Sequence, residues 1–159
     1  MAELVERRPD VVTRPIVEER VGTDRLAYQA YQVLHVAFVI APTIAGIDKF
    51  LHWLVNWDQY LAPQVARILP FSGHTFMLAV GVIEIIAGLW VAIQPRVGAY
   101  IVAVWLLGII GNLVIQGRYL DIALRDLGLL LAAYALGRLA QHFHRPAVER
   151  STEVRRSTV

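Results

Sequence analysis

The sequence predicts an all-α protein, an antiparallel bundle of four transmembrane helices with a short interfacial segment between helices 1 and 2. Apolar residues make up 57% of the 159 residues and charged residues only 18%, a balance typical of membrane proteins. The charges are also segregated. Five of the 15 Lys and Arg precede Leu26 and five lie from Arg138 onward, so the middle of the chain is the predicted membrane domain.

The apolar stretches divide the chain into one membrane domain and two tails. Residues 1–26 are predicted to be a polar tail without a sustained helical period, and residues 143–159 a second polar tail. Residues 27–142 form the membrane domain. Its predicted spans each have the length that a bilayer requires, and they cover residues 27–52, 74–94, 97–116 and 120–142.

Aromatic residues follow the first span. Trp53, Trp57 and Tyr60 are of the type that favours the membrane–water boundary. Pro63 suits the first turn of a helix, so we expect a short interfacial helix here rather than a free loop. Within the spans, small residues predict sites of close helix packing at Gly81, Gly88, Gly108, Gly111 and Gly128.

The distribution of basic residues predicts the topology. The two tails and the turn at Arg96 carry 11 Lys and Arg, whereas the opposite side carries four. The positive-inside rule therefore predicts a multi-pass protein of the inner (plasma) membrane with both termini in the cytoplasm.

Composition also excludes several classes of function. The chain has no cysteine, which excludes disulfides, catalytic thiols and iron–sulfur ligation by the chain itself. The tails mix acidic with basic residues and form no aromatic-studded basic stripe, so nucleic acid is not a predicted partner. The lipid bilayer is the predicted partner, and oligomerisation stays open.

The fourth span opens with charged residues that a lipid-facing helix does not carry without partners. Asp121 and Arg125 lie four residues apart, so they are able to pair, and they share a helix face with Gly128. Leu124 and Leu131 lie on the roughly opposite face. We expect the Asp121 face to pack within the bundle and the leucine face to meet lipid.

Polar residues from all four spans fall at compatible depths. Glu84 lies close to the middle of the membrane, with no obvious partner at its own depth, and is expected to be paired or protonated because a lone charge there costs several kcal/mol. Arg125 is expected to meet one of three acids in a common outer pocket, namely Asp121, Asp126 or Asp48. The candidates for ligand binding or proton exchange are Glu84, Arg125, Asp126, Asp121, Lys49, Asp48 and Asn112.

The histidines do not predict a metal or haem site. His35 lies deeper in the membrane than any other histidine, so it has no partner for haem ligation across the bundle. His52 and His74 lie at similar depth at the outer ends of helices 1 and 2, where histidines are more often interfacial or bonded to backbone. No metal ligand is therefore assigned.

Five motifs resemble the DoxX/DoxD-like family of small four-helix membrane proteins. They cover residues 30–140 and read GIDKF (46–50), W-x-x-Y-L-A-P (57–63), GVIEIIAGL (81–89), WLLGIIGNL (105–113) and YLDIALRDLGLLLAAYALGRL (119–139). Named members are membrane subunits linked to quinone-dependent redox systems and to oxidative-stress complexes. The motif positions carried over are Lys49, Glu84, Asn112, Asp121, Arg125 and Asp126.

The resemblance implies an accessory or quinone-interacting subunit of a membrane redox system, with an oxidoreductase as partner. It implies no intrinsic cofactor, with quinone as the candidate ligand, and leaves open whether the chain is an enzyme. Two other functions stay open from the residues themselves. One is a small proton-coupled transporter in which Glu84 cycles its proton, and the other is a structural membrane helper whose polar groups only join helices.

Overall fold

The computed structural model describes residues 10–144, with side chains from Gly22 onward, and within this part the chain is all-helical without a strand. The predicted all-α class is confirmed for these residues, whereas the outer parts of both predicted tails lie outside them. The elements are α1 (Asp10–Leu51), a 3-10 turn (Trp57–Tyr60), α2 (Pro63–Ala66), α3 (Gly73–Ile93), α4 (Pro95–Gln116) and α5 (Leu120–Phe143).

Three helices of the described part are long and apolar enough to cross a membrane, which indicates a multi-pass membrane protein. They are Gly22–Leu51 within α1, Gly73–Ile93 and Pro95–Gln116, with mean hydropathies of 1.6, 2.4 and 2.2. Large apolar side chains on these helices are exposed on the outside of the bundle, and such a surface favours contact with lipid. The 24-residue α5 is of similar length but carries three charged residues in its first turns.

The helix boundaries agree with the predicted spans except at the start. The limits of α3, α4 and α5 lie within two residues of the predicted ones. In contrast, α1 already begins at Asp10, so residues 10–26, predicted as a tail, are helical. Each residue added to an existing helix gains a hydrogen bond without a new nucleation step, which is why the helix extends beyond the apolar stretch.

The helices pack as neighbours in two pairs. α1 lies along α3 and α4 lies along α5, and the two pairs meet through α3 against α4 and α1 against α5. One apolar core lies among these four helices and includes Phe38, Val91, Val102 and Leu136. A second, smaller core of Leu61, Met77 and Val80 forms where the connecting segment covers α3.

The connections are short after α3. Gln94 alone separates α3 from α4, and Pro95 occupies the first turn of α4. Gly117 ends α4 with φ 69°, the left-handed conformation that glycine adopts without a Cβ clash. The segment between α1 and α3 is longer, and α2 begins at Pro63 as predicted.

Candidate functional site

A buried ion pair joins α1 to α3. The Lys49 ammonium donates to Glu84 Oε2 at 2.5 Å, and the two side chains are only 2% and 8% exposed. Glu84 is thus paired, one of its two expected states, and its partner is Lys49, which the estimate of depth from the sequence had not matched to it. Lysine side chains are long and leave a helix toward its N-terminus, so Lys49 reaches from the end of α1 back into the bundle. The depth of the Lys49 Cα in the membrane did not reveal that its side chain reaches Glu84.

Glycines let the two helices approach closely enough for this pair. A Cβ added to Gly46 would lie 2.5 Å from the carbonyl oxygen of Gly81, and one added to Gly88 would overlap Thr43. Gly81 and Gly88 are thus confirmed as close-packing positions. Gly108, Gly111 and Gly128 are not, because a Cβ at each would meet no described atom within 4 Å.

Two tryptophans border the ion pair. The Lys49 Nζ lies 3.7 Å from the ring centroid of Trp57, a cation–π contact. The indole Nε1 of Trp105 is buried without a hydrogen-bond partner among the described residues, yet it lies near enough to interact with the Glu84 carboxyl group. The pair is therefore enclosed by apolar ring surface and has one buried N–H group beside it.

Asp126 is the second buried acid of the cluster. It is 4% exposed and interacts electrostatically with Glu84, while its Oδ1 accepts from Arg125 Nε and Nη2 at 3.2 and 3.1 Å. The Arg125 side chain is 64% exposed, so the guanidinium caps Asp126 from the outside of the bundle. Of the three acids expected for Arg125, Asp126 is the one that it meets.

The packing face of α5 differs from the predicted one. Asp121, Arg125 and Gly128 are exposed, whereas the buried face runs through Ala123, Asp126, Ala133, Leu136, Gly137 and Ala140. The predicted Asp121–Arg125 contact is therefore wrong. Arg125 pairs with its neighbour in sequence instead, and Gly137 packs against the ring of Tyr100 on α4.

Asp48 organises the chain after α1. Its Oδ1 accepts from the backbone N–H groups of Trp53 and Leu54 at 2.9 and 3.0 Å, and its Oδ2 accepts from Trp57 Nε1 at 2.7 Å. These three donors hold the turn at His52, whose φ of 54° is left-handed. Asp48 thus places Trp57 over the ion pair, and the expected contact with Arg125 does not form.

Asn112 connects α4 to the same segment. Its Oδ1 accepts from the Ala62 N–H at 2.9 Å and its Nδ2 donates to the Tyr60 carbonyl at 2.6 Å. One amide therefore satisfies two backbone groups between the 3-10 turn and α2, as a neighbouring strand would. Asp48 and Asn112 together fix the segment that covers the Lys49–Glu84 pair.

A cleft of about 380 Å³ lies toward the other end of α1 and was not predicted. Its lining includes Tyr28, Tyr31, Gln32 and His35 of α1 together with Phe143 of α5. The His35 Nε2 pairs with the Val91 carbonyl at 2.9 Å, and the His35 ring stacks on Tyr31. The sequence signal was present, because Tyr28, Tyr31, Gln32 and His35 recur at helical spacing along one face.

Comparison of the chain with protein-family models, with curated proteins and with solved structures gives no match.

Proposed function

We propose that the chain is a DoxX-like integral membrane protein that acts as an accessory, quinone-interacting subunit of a membrane redox system. The observation that carries the proposal is the buried Lys49–Glu84 pair between two apolar helices, with the Trp57 and Trp105 rings beside it. Intramembrane charges are rare, and they commonly mark proton or ligand paths. The motifs that contain Lys49 and Glu84 also resemble those of the DoxX/DoxD-like family, which supports the same location for the quinone site.

The chemistry of these side chains suits a quinone. Reduction of a quinone to a quinol takes up two electrons and two protons, so a binding site needs hydrogen-bond donors at the carbonyl oxygens and a carboxyl group that exchanges protons. Lys49 is the donor and Glu84 the proton-exchanging group. The described side chains hold no redox centre, and the electrons therefore come from a partner oxidoreductase.

The proposed topology has four spanning helices in antiparallel order, with both termini on the cytoplasmic side of the inner membrane. Three apolar helices and the matching length of α5 support it. Pairing with Asp126 reduces the energetic penalty of placing Arg125 in the bilayer. In this topology the Lys49–Glu84 pair lies toward the outer side, below the interfacial segment.

Quinone retention by the purified protein tests the proposal. The protein is extracted in mild detergent and its bound quinone is measured by mass spectrometry. Measured below the lowered melting temperature of the variant, where its bundle is still folded, Glu84→Gln should reduce quinone occupancy several-fold. His35→Phe removes the polar ring atoms of the cleft but keeps the aromatic ring, so it should leave occupancy unchanged. Absence of quinone from the wild type, or loss only in His35→Phe, would contradict the proposed site.

A structural role is the second candidate, and a specific observation favours it. Asp48 and Asn112, both predicted as ligand-binding candidates, are each hydrogen-bonded through both polar atoms of the side chain to the segment between α1 and α3. Their hydrogen bonds stabilise the fold without a ligand. If Glu84→Gln lowers yield and melting temperature and no quinone is found in the wild type, the polar cluster serves helix packing.

A further inference from the structure

Two histidines and an aspartate meet at the outer ends of α1 and α3, outside the Lys49–Glu84 cluster. His52 directly follows α1, Asp58 lies in the 3-10 turn, and His74 lies in the first turn of α3. Their potential ligand atoms all lie within 4.8 Å of one another. The His74 Nδ1 is 2.9 Å from Asp58 Oδ2, and the two imidazole rings stack with centroids 5.7 Å apart.

One carboxylate oxygen of this cluster has no hydrogen-bond donor among the described residues. The Asp58 Oδ1 is buried and has no hydrogen-bond partner among the described residues, although the Asp58 side chain as a whole is 37% exposed. A buried carboxylate oxygen without a donor is unfavourable, and a cation is one group that satisfies it. The contact between His74 and Asp58 Oδ2 leaves this second oxygen unsatisfied.

The backbone around the cluster is fixed before any ligand arrives. Asp48 holds the left-handed turn at His52 through its bonds to Trp53 and Leu54. The Asn56 side chain accepts from the Asp58 N–H at 3.1 Å, and Ser72 caps the start of α3 just before His74. Little backbone conformational entropy therefore remains to be lost when the three side chains converge on one ligand.

We propose that His52, Asp58 and His74 bind a divalent transition metal of the zinc type. Two imidazoles and one carboxylate form a ligand set that zinc accepts, and three protein ligands leave a fourth position for water or a substrate. Magnesium and calcium prefer oxygen ligands throughout, so the two histidines disfavour them. Binding would join the end of α1 to the start of α3 across the connecting segment.

The same chain contains a matched control. His142 and Asp24 also form an exposed histidine–carboxylate pair, with 3.6 Å between Nε2 and Oδ1. This pair has no third ligand among the described residues. If any exposed His–Asp pair were enough to bind the metal, substitutions at either pair would weaken binding equally. In the proposed site, binding depends on His52, Asp58 and His74 alone.

Titration of the full chain with Zn²⁺ tests the proposal. Protein without an affinity tag is purified in mild detergent, stripped of metal and titrated by calorimetry, with Co²⁺ absorption spectra as a second readout of coordination. We expect one Zn²⁺ per chain. His52→Ala and the nearly isosteric Asp58→Asn should each weaken binding more than ~10-fold, since even outer-shell partners contribute that much. His142→Ala should bind as tightly as the wild type.

Thermal unfolding separates loss of the site from loss of the fold. Without metal, Asp58→Asn should melt within a few degrees of the wild type, because its hydrogen bond to His74 is exposed and contributes little. Added Zn²⁺ should raise the melting temperature of the wild type and of His142→Ala but not of Asp58→Asn. Equal Zn²⁺ affinity of the wild type and Asp58→Asn would overturn the proposal, as would an equal loss of affinity in His142→Ala.

Discussion

At the residue scale, Lys49 and Glu84 are buried charges that depend on each other. Removing one partner of a buried pair leaves the other charge desolvated and unpaired, which costs about 3–5 kcal/mol, whereas replacing both is far less unfavourable. Trp57 stabilises the ammonium through its ring but has no negative charge to replace Glu84. A single neutral substitution at either residue is therefore expected to lower the stability of the bundle.

We predict that Glu84→Gln lowers the melting temperature in detergent strongly, in line with a loss of about 3–5 kcal/mol. The double variant Lys49→Met/Glu84→Gln should recover part of this loss because it removes the unpaired ammonium. The exposed acid Asp121 offers the control, and Asp121→Asn should change stability by less than about 0.5 kcal/mol. If the double variant is less stable than Glu84→Gln, the idea that the two buried charges stabilise each other is wrong.

At the scale of the elements, the contact between α1 and α3 depends on the absence of side chains. Gly46 of α1 faces the backbone of Gly81 on α3, and the neighbouring atom is a carbonyl oxygen that cannot rotate away. Any Cβ at Gly46 therefore separates the helices. The same separation would move Lys49 away from Glu84.

We predict that Gly46→Ala destabilises the protein by about 1–3 kcal/mol, the usual effect of overpacking. Gly108→Ala is the control, because a Cβ there meets no described atom within 4 Å. Alanine favours helix over glycine by about 1 kcal/mol, so Gly108→Ala should be neutral or stabilising. Thermal unfolding of both variants measures the difference. Equal changes in melting temperature would mean that the close approach of α1 and α3 does not determine the stability of the protein.

The segment between α1 and α3 gives a second prediction at this scale. Asn112→Ala removes the acceptor for the Ala62 N–H and the donor to the Tyr60 carbonyl. At about 0.7 kcal/mol for each of these two hydrogen bonds, their loss amounts to about 1.4 kcal/mol and makes local opening roughly tenfold more favourable. Hydrogen exchange of the peptide covering residues 57–62 should therefore accelerate about tenfold.

Gln116 supplies the control for this measurement. Its Nε2 donates to the Gln59 carbonyl at 2.9 Å, and this hydrogen bond is exposed whereas those of Asn112 are partly buried. Gln116→Ala should leave the exchange of Ala62 nearly unchanged. Equal acceleration in the two variants would mean that Asn112 holds the segment no more firmly than Gln116 does.

At the scale of the whole molecule, the cysteine-free sequence permits a direct test of topology. Single cysteines at Gln59, Gln94 and Gln141 would each be exposed. With four spans, a membrane-impermeant maleimide should label Gln59→Cys in intact cells, but should label Gln94→Cys and Gln141→Cys only after permeabilisation. If α5 does not cross the membrane, Gln141→Cys should be labelled in intact cells as well.

The sequence by itself determined the limits of the helices after α1. Long apolar stretches predicted α3, α4 and α5 to within two residues, and Pro63 predicted the start of α2, because hydrophobic length and proline chemistry are local properties. It also singled out six charged residues, of which four are buried (Asp48, Lys49, Glu84 and Asp126) and two are exposed (Asp121 and Arg125). Charges in an apolar context are recognisable without a structure, since their burial is too unfavourable to be accidental.

Only the tertiary structure decided which of these groups meet. Depth counted from Cα positions left Glu84 alone, although the side chain of Lys49 reaches it once Gly46 and Gly81 allow contact between the backbones. The face of α5 that packs was also misassigned, because several charged and small positions were compatible with burial. Partner choice depends on helix rotation and on side-chain reach between helices, and neither is encoded in the periodicity of one helix.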